Sequence, residues 1–286
     1  MNNSQKIYGA SQDFNCLAQL DPKYAESYNI GYSRRENLKN VCGALADFDR
    51  VIKLYPDSAV VLTNRGILKH QGLYDVEGAL ADFNRALAID SDWAIAYNNR
   101  GVVKYIDFND VPGALADFEC AIQIEPEYGG AYNNLGFVKS RKPKNVEGAL
   151  EDFNRAIQIK ANALNYTNRA CLKADNFQDF QGALEDFNRA IQSDDSHPLP
   201  FQSRACTKHY DLNDFQGALT DYDRAIELDP IYAFAFENRA HLSYFQFNSI
   251  SSTISDLTQA AKLFREQKKL KAYQRVMDNL RIWEKK

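Results

Sequence analysis

The sequence predicts an all-α fold in which pairs of helices stack as a solenoid and one further helix closes the C-terminal end. Three observations predict it. A stretch reading GALADFNRALAID from Gly78 returns as GALEDFNRAIQIK from Gly148 and GALEDFNRAIQSD from Gly182. The same pattern starts at Gly43, Gly113 and Gly217, and in eroded form at Gly9 and Ser252, so successive starts lie 34, 35, 35, 35, 34, 35 and 35 residues apart. A fixed period of this size marks an array of supersecondary units, each unable to bury its apolar face alone. Second, Ala79, Phe83, Ala86 and Leu87 fall at i, i+4, i+7 and i+8, which is one face of a helix. Third, a short polar residue stands three before each start: Asn40, Asp75, Asp110, Asn145, Asp179, Asp214 and Ser249. There it can accept a bond from an orphan N–H of the first helical turn.

The helix that follows each cap is the second of its repeat. Glycine inside a helix costs about 1 kcal/mol relative to alanine. Its recurrence, followed by Ala44, Ala79, Ala114, Ala149, Ala183 or Ala218, suggests a neighbouring helix passing too close for a Cβ. Phe48, Phe83, Phe118, Phe153, Phe187 and Tyr222 are then expected to fill the space between helices. The first helices read LTNRGILKH (62–70), AYNNRGVVKY (96–105), YNNLGFVKS (132–140), YTNRACLKA (166–174), FQSRACTKH (201–209) and FENRAHLSY (236–244), with SYNIGYSRR (27–35) a looser opening copy. Their small residue precedes the next repeat start by 12 in all seven copies, so the helix–turn–helix unit is one rigid design. Pro22, Pro56, Pro126 and Pro230 punctuate the ends of second helices.

An aromatic, a glycine four later, Ala-x3-Phe-x2-Ala and a proline, on a period near 34, resemble the tetratricopeptide repeat (TPR). The resemblance covers about residues 9–264. It divides the chain into an N-terminal segment with a half-repeat helix (1–20), seven repeats (21–264) and a basic amphipathic helix (265–286). It implies a right-handed superhelix whose first helices line a concave surface. The last helix carries Leu270, Tyr273, Met277, Leu280 and Trp283 on one stripe, which would cap the bare face of the last repeat or dock a partner. The wording NRG…GALxDFxRAI is similar to TPR proteins common in cyanobacteria.

Two departures from the family pattern bear on function. Arg65, Arg100, Arg169, Arg204 and Arg239 stand where the family has Leu, each 17 residues before an Asp of its own repeat: Asp82, Asp117, Asp186, Asp221 and Asp256. The expectation is a ladder of ion pairs wedged between helices; the alternative is surface pairing within a helix, as between Asp82 and Arg85. Lysine replaces the family's Tyr at 69, 104, 139, 173 and 208.

Asn29, Asn64, Asn99, Asn134, Asn168 and Asn238 form a second ladder, with Ser203 in the sixth copy. In the family's O-linked GlcNAc transferase, Asn at this repeat position holds the backbone of an extended peptide. A side-chain amide both donates and accepts, so it matches a peptide group of any sequence; it can equally bond a neighbouring helix. Tyr28, Tyr32, Tyr105 and Phe137 are expected to flank this ladder in the groove, with Cys171, Gln202, Cys206, His209, Glu237 and His241 further along. The family's clamp for a C-terminal carboxylate needs Lys and Arg that these groove positions lack.

No catalytic constellation, cofactor motif or metal spacing appears among the four histidines and five cysteines. The expected function is therefore a non-catalytic scaffold binding an extended peptide or protein segment in the concave groove. The alternative is a self-assembling or complex-assembly factor, for example of a photosynthetic complex, acting through its terminal helices as monomer or homodimer. A net charge of −4 argues against a general nucleic-acid binder. That charge is uneven: residues 262–286 hold nine Lys/Arg against three Asp/Glu, leaving residues 1–261 at −10. No apolar run approaches the ~18 residues of a membrane span. Free thiols and a start, MNNSQKIYGASQDF, without a basic segment and apolar run point to a cytoplasmic protein.

Overall fold

Helix formation follows the repeat. A computed structural model describes residues 37–141 and 145–283. Within them run fourteen α-helices and no strand. The second helices of the repeats are α1 (Asn37–Leu54), α3 (Val76–Ile89), α5 (Val111–Ile124), α7 (Val146–Ile159), α9 (Phe180–Ser193), α11 (Phe215–Leu228) and α13 (Ile250–Glu266). The first helices are α2 (Ala59–Leu68), α4 (Ala94–Ile106), α6 (Gly129–Ser140), α8 (Ala163–Leu172), α10 (Pro198–Cys206) and α12 (Ala233–Phe247); α14 (Leu270–Trp283) follows the last repeat. Tyr28, Asn29, Tyr32, Cys16 and the half-repeat helix expected over 9–20 lie outside the described residues.

Packing within each unit is sequential, first helices lying against their own second helices in the pairs α2–α3, α4–α5, α8–α9, α10–α11 and α12–α13. The array is therefore an all-α solenoid. It forms two compact units, Met1–Val138 and Lys139–Lys286. Phe83, Phe118, Phe153, Phe187 and Tyr222 are all buried, each between two fully buried alanines of its own helix, such as Ala183 and Ala190 beside Phe187. Helices of 9–15 residues are marginal alone, and these repeated small clusters hold them.

The reason for the second-helix glycine differs from the one expected. The nearest atoms that a Cβ at Gly78, Gly113, Gly182 or Gly217 would meet belong to no neighbouring helix; they are the carboxylate of the capping Asp three residues before, which it would overlap. That carboxylate accepts the glycine's own N–H, at 3.0 Å for Asp75 and 2.9 Å for Asp179. Glycine here lets the cap lie flat over the first turn. The close approach sits instead on the first helices, where a Cβ at Gly66 or Gly101 would come within 2.7 or 2.8 Å of the Phe83 or Phe118 ring. Three expected caps also differ. Asn40 lies inside α1, while Asn145 and Ser249 stand at helix starts without a side-chain cap bond.

The first helices end in a way the repeat did not announce. In three copies the last turn widens to π geometry, at Lys69–Leu73, Lys173–Phe177 and Thr207–Asp211. Tyr74, Asn109, Gln178, Asn213 and Asn248 then take positive φ. The next residue's N–H bonds a carbonyl six positions back, as Asp179 does to Lys173 at 3.0 Å. Left-handed backbone suits Asn and Gly and strains other side chains. Gln178→Gly is accordingly expected to raise stability by about 0.5–1 kcal/mol, once glycine's extra unfolded entropy is set against the relieved strain. The urea midpoint checks this, and a fall in the midpoint would refute it.

At the C-terminal end, Val276 and Leu280 of α14 are buried against Ala240, Leu257 and Phe264 of the last repeat, with Tyr273 and Met277 packed alongside. Arg275 fixes the angle by donating two bonds to Glu237 on α12, at 2.8 and 2.7 Å. The expected stripe is corrected at two places. Leu270 points to solvent, and Val276 takes the central position. Glu237, expected in the groove, faces α14 instead.

Candidate functional site

The five arginines that replace the family's Leu lie at the seam between first and second helices. Arg169 donates from Nε and Nη2 to the two carboxylate oxygens of Asp186, at 2.8 and 2.6 Å. Arg65 does so to Asp82, Arg100 to Asp117, Arg204 to Asp221 and Arg239 to Asp256. The remaining Nη1 reaches back to the preceding repeat: to Asp49, Asn84, Asn154, Asn188 and Asp223 respectively for Arg65, Arg100, Arg169, Arg204 and Arg239. One guanidinium thus joins three helices. Each of the last four also lies over an aromatic ring three residues earlier, such as Tyr97 beneath Arg100 at 5.3 Å.

The lysine one turn on joins the same carboxylate, which sequence reasoning missed. Lys69, Lys104, Lys173 and Lys208 lie 2.7–2.9 Å from Asp82, Asp117, Asp186 and Asp221. Asp186 is fully buried. Burial alone would raise its pKa, but the bonds from Arg169 and Lys173 outweigh that and hold the carboxyl below the usual range. Arg85, the rival partner of Asp82, donates to the Pro56 carbonyl at 2.6 Å instead. In the fourth repeat Leu135 occupies the arginine position, and Lys139 lies 2.8 Å from Asp152.

The asparagine positions do not behave alike. Asn64 is buried. Asn99 turns its amide onto its own helix, donating to the Ile95 carbonyl at 2.8 Å. Asn134 donates to Asn98 of the preceding repeat at 2.9 Å. Asn168 is half-buried on α8. Tyr105 and Phe137 meet edge to face, with ring centres 6.0 Å apart. Asn238 has only weak contacts: it donates to the Cys206 sulfur at 3.5 Å and accepts from the Tyr210 hydroxyl at 3.5 Å.

Asn238 borders an open cleft of about 430 Å³ that crosses the first helices of repeats five, six and seven. Cys171 and Asp175 line it from α8 and its π turn; Gln202, Ser203 and Cys206 line it from α10. Tyr210 and Asp211 come from the turn after α10, and Tyr232 and Phe234 from the start of α12. Burial pushes the Cys171 thiol up to about 11, and Tyr210 and Tyr232 to about 12. These groups are therefore uncharged at neutral pH. His209, expected in the groove, is buried behind Tyr210 and stacks on it at 4.0 Å. Among the described residues, no group of three His, Cys, Asp or Glu is placed to hold a metal ion, and no helix is long and apolar enough to cross a membrane.

Solved structures share this architecture. A chain of the APC/C hetero-tetramer Cut9–Hcn1 aligns with a TM-score of 0.71 and 16% identity, over 90% of this chain and 49% of that one. A tetratricopeptide repeat protein from Parabacteroides merdae aligns at 0.65 and 15%, over 96% and 98% of the two chains. Yeast Tom70 aligns at 0.57 and 19%, over 87% and 60%. The chain thus spans about half the length of the first and three-fifths of the third. No protein-family model and no curated protein matches the chain. At these identities the likeness is one of architecture: the chain has the tetratricopeptide-repeat fold.

Proposed function

We propose that the chain is a non-catalytic interaction scaffold that holds an extended segment of a partner protein along its first helices. The observation that carries this reading is the cleft across α8, α10 and α12. It is open, walled by aromatic rings, and edged by Ser203 and Asn238 at equivalent positions of adjacent repeats. Asn238 gives up little when a peptide group displaces these contacts, because a thiol sulfur is a weak acceptor and an O–H···O bond of 3.5 Å is long. The internally bonded Asn99 and Asn134 are poorer candidates. Extended segments suit such a surface because neighbouring repeats present equivalent groups at regular intervals.

Self-association through α14 would have to use a face other than that of Val276 and Leu280, which the last repeat already covers. The similarity of the repeat wording to cyanobacterial TPR proteins makes assembly of a photosynthetic complex one setting in which to seek the partner.

Peptide-display selection on the purified chain should return binders. Ser203→Ala with Asn238→Ala should weaken those binders by roughly tenfold or more, with helicity and melting temperature unchanged. Binders indifferent to that change, or an empty selection, would overturn the proposal.

A further inference from the structure

The cleft is chemically one-sided. No Lys, Arg or His lines it, whereas Asp175 and Asp211 both do. Both carboxylates are exposed at its rim. Desolvation raises the pKa of Asp175, with Arg141 acting the other way. Desolvation also raises that of Asp211, and the negative charge of Asp175 adds to it.

Gln202 supplies an independent observation. The residue is 5% exposed and lines the same cleft, yet its Oε1 has no hydrogen-bond partner. Its Nε2 donates only to the Cys206 sulfur, at 3.4 Å. An orphaned buried acceptor is costly, and a donor brought into the cleft would relieve it. The acceptor lies below the surface, so the donor must sit at the tip of a slender side chain. Around it stand Tyr232 and Phe234, faces suited to a methylene stem or a cation.

We propose that the cleft is a subsite for one basic side chain, a lysine or arginine carried by the extended partner segment, its head between Asp175 and Asp211 and above Gln202. This rests on the scaffold reading above and adds the chemistry of the guest. Charge complementarity selects the occupant: the walls offer acceptors and two anions, and the only other polar hydrogens belong to uncharged thiols, phenols, hydroxyls and amides. An acidic or C-terminal carboxylate guest would face both anions with no cationic wall residue to offset them. A metal ion is a poor rival, because the cleft's thiols and carboxylates are not grouped to ligate one.

The test uses the full chain and pools of capped, dye-labelled peptides, alike except for a central Lys, Arg, norleucine or Glu, read by fluorescence anisotropy. The Lys and Arg pools should bind roughly tenfold tighter than norleucine, about 1.4 kcal/mol. The Glu pool should bind weakest. The preference should shrink from about 0.05 M to about 0.5 M salt, as screening demands. Asp175→Asn with Asp211→Asn, both at exposed positions, should abolish the preference, bringing the Lys, Arg and norleucine pools to one affinity. If the norleucine pool binds as tightly as the Lys pool, or the double variant keeps the preference, the basic subsite falls while the scaffold stands. If no pool binds, both fall.

Discussion

Asp186→Ala is expected to cost the chain about 3–5 kcal/mol of stability, because it leaves two cations facing each other at a dry seam. Asp186 is fully buried, and the Arg169 and Lys173 side chains are 13% and 21% exposed. The net worth of an intact buried ion pair is small, since desolvation offsets attraction; the cost lies in breaking it. In repeat four the arginine position itself holds an apolar side chain. Leu135 occupies that position and packs with Ala114, Phe118 and Val138. The triple change Arg169→Leu, Lys173→Met, Asp186→Ala should therefore recover most of what Asp186→Ala loses. Urea unfolding measures both, and hydrogen exchange in α8 and α9 localises the loss, since a stacked array opens locally. Acid gives a second readout. The Asp186 carboxyl titrates below its ordinary value of 3.8, so its contribution is present above that pH and disappears as pH falls below it. The gap between wild type and Asp186→Ala should close over that range. A single-variant loss under about 1 kcal/mol would refute the account.

What the sequence disclosed is what the repeats share. Helix pairs, the Phe–Ala interior and the seventeen-residue spacing from Arg to Asp recur in copy after copy, so periodicity alone separates them from chance. What it concealed falls into two kinds. The first is geometry that spacing cannot resolve. A glycine three residues after Asp75 is compatible with a crowded neighbour or with a cap lying over it, and only the Asp75–Gly78 bond decides between them. Likewise, the extra residue of a 35-residue period can enter a loop or a helix. It enters the connection between repeats: four residues separate α3 from α4 and α9 from α10, but three separate α7 from α8, where the period is 34. The second kind is whatever the copies do not share. Asp175, Tyr210 and Asp211 are single features of one cleft, invisible to an argument from consensus. The asparagine ladder, by contrast, is a consensus feature whose members serve different ends: Asn99 and Asn134 bond within the array, while Asn238 borders open space.

Phe118→Ala should be the most damaging truncation in the third repeat, by about 3–5 kcal/mol, and its interaction with Gly101 should reverse in sign. Phe118 is 1% exposed and its ring lies where a Cβ on Gly101 would come within 2.8 Å. With no side chain on Gly101, nothing can collapse into the hole that the lost ring leaves, which places the cost toward the upper end. In the wild-type background Gly101→Ala gains about 1 kcal/mol of helix propensity but overpacks a full site by about 1–3, for a net loss near 1 kcal/mol. In the Phe118→Ala background the ring is gone. The same methyl then fills part of the cavity and keeps its propensity gain, so the second change should stabilise. Repeats five and six carry Ala170 and Ala205 beside Phe187 and Tyr222, which shows that the helices can separate enough for a methyl when the whole repeat is built for it. A double-mutant cycle in urea measures the coupling directly. Additive losses, with Gly101→Ala equally harmful in both backgrounds, would show that the close approach of helix and ring does not set the spacing within the pair.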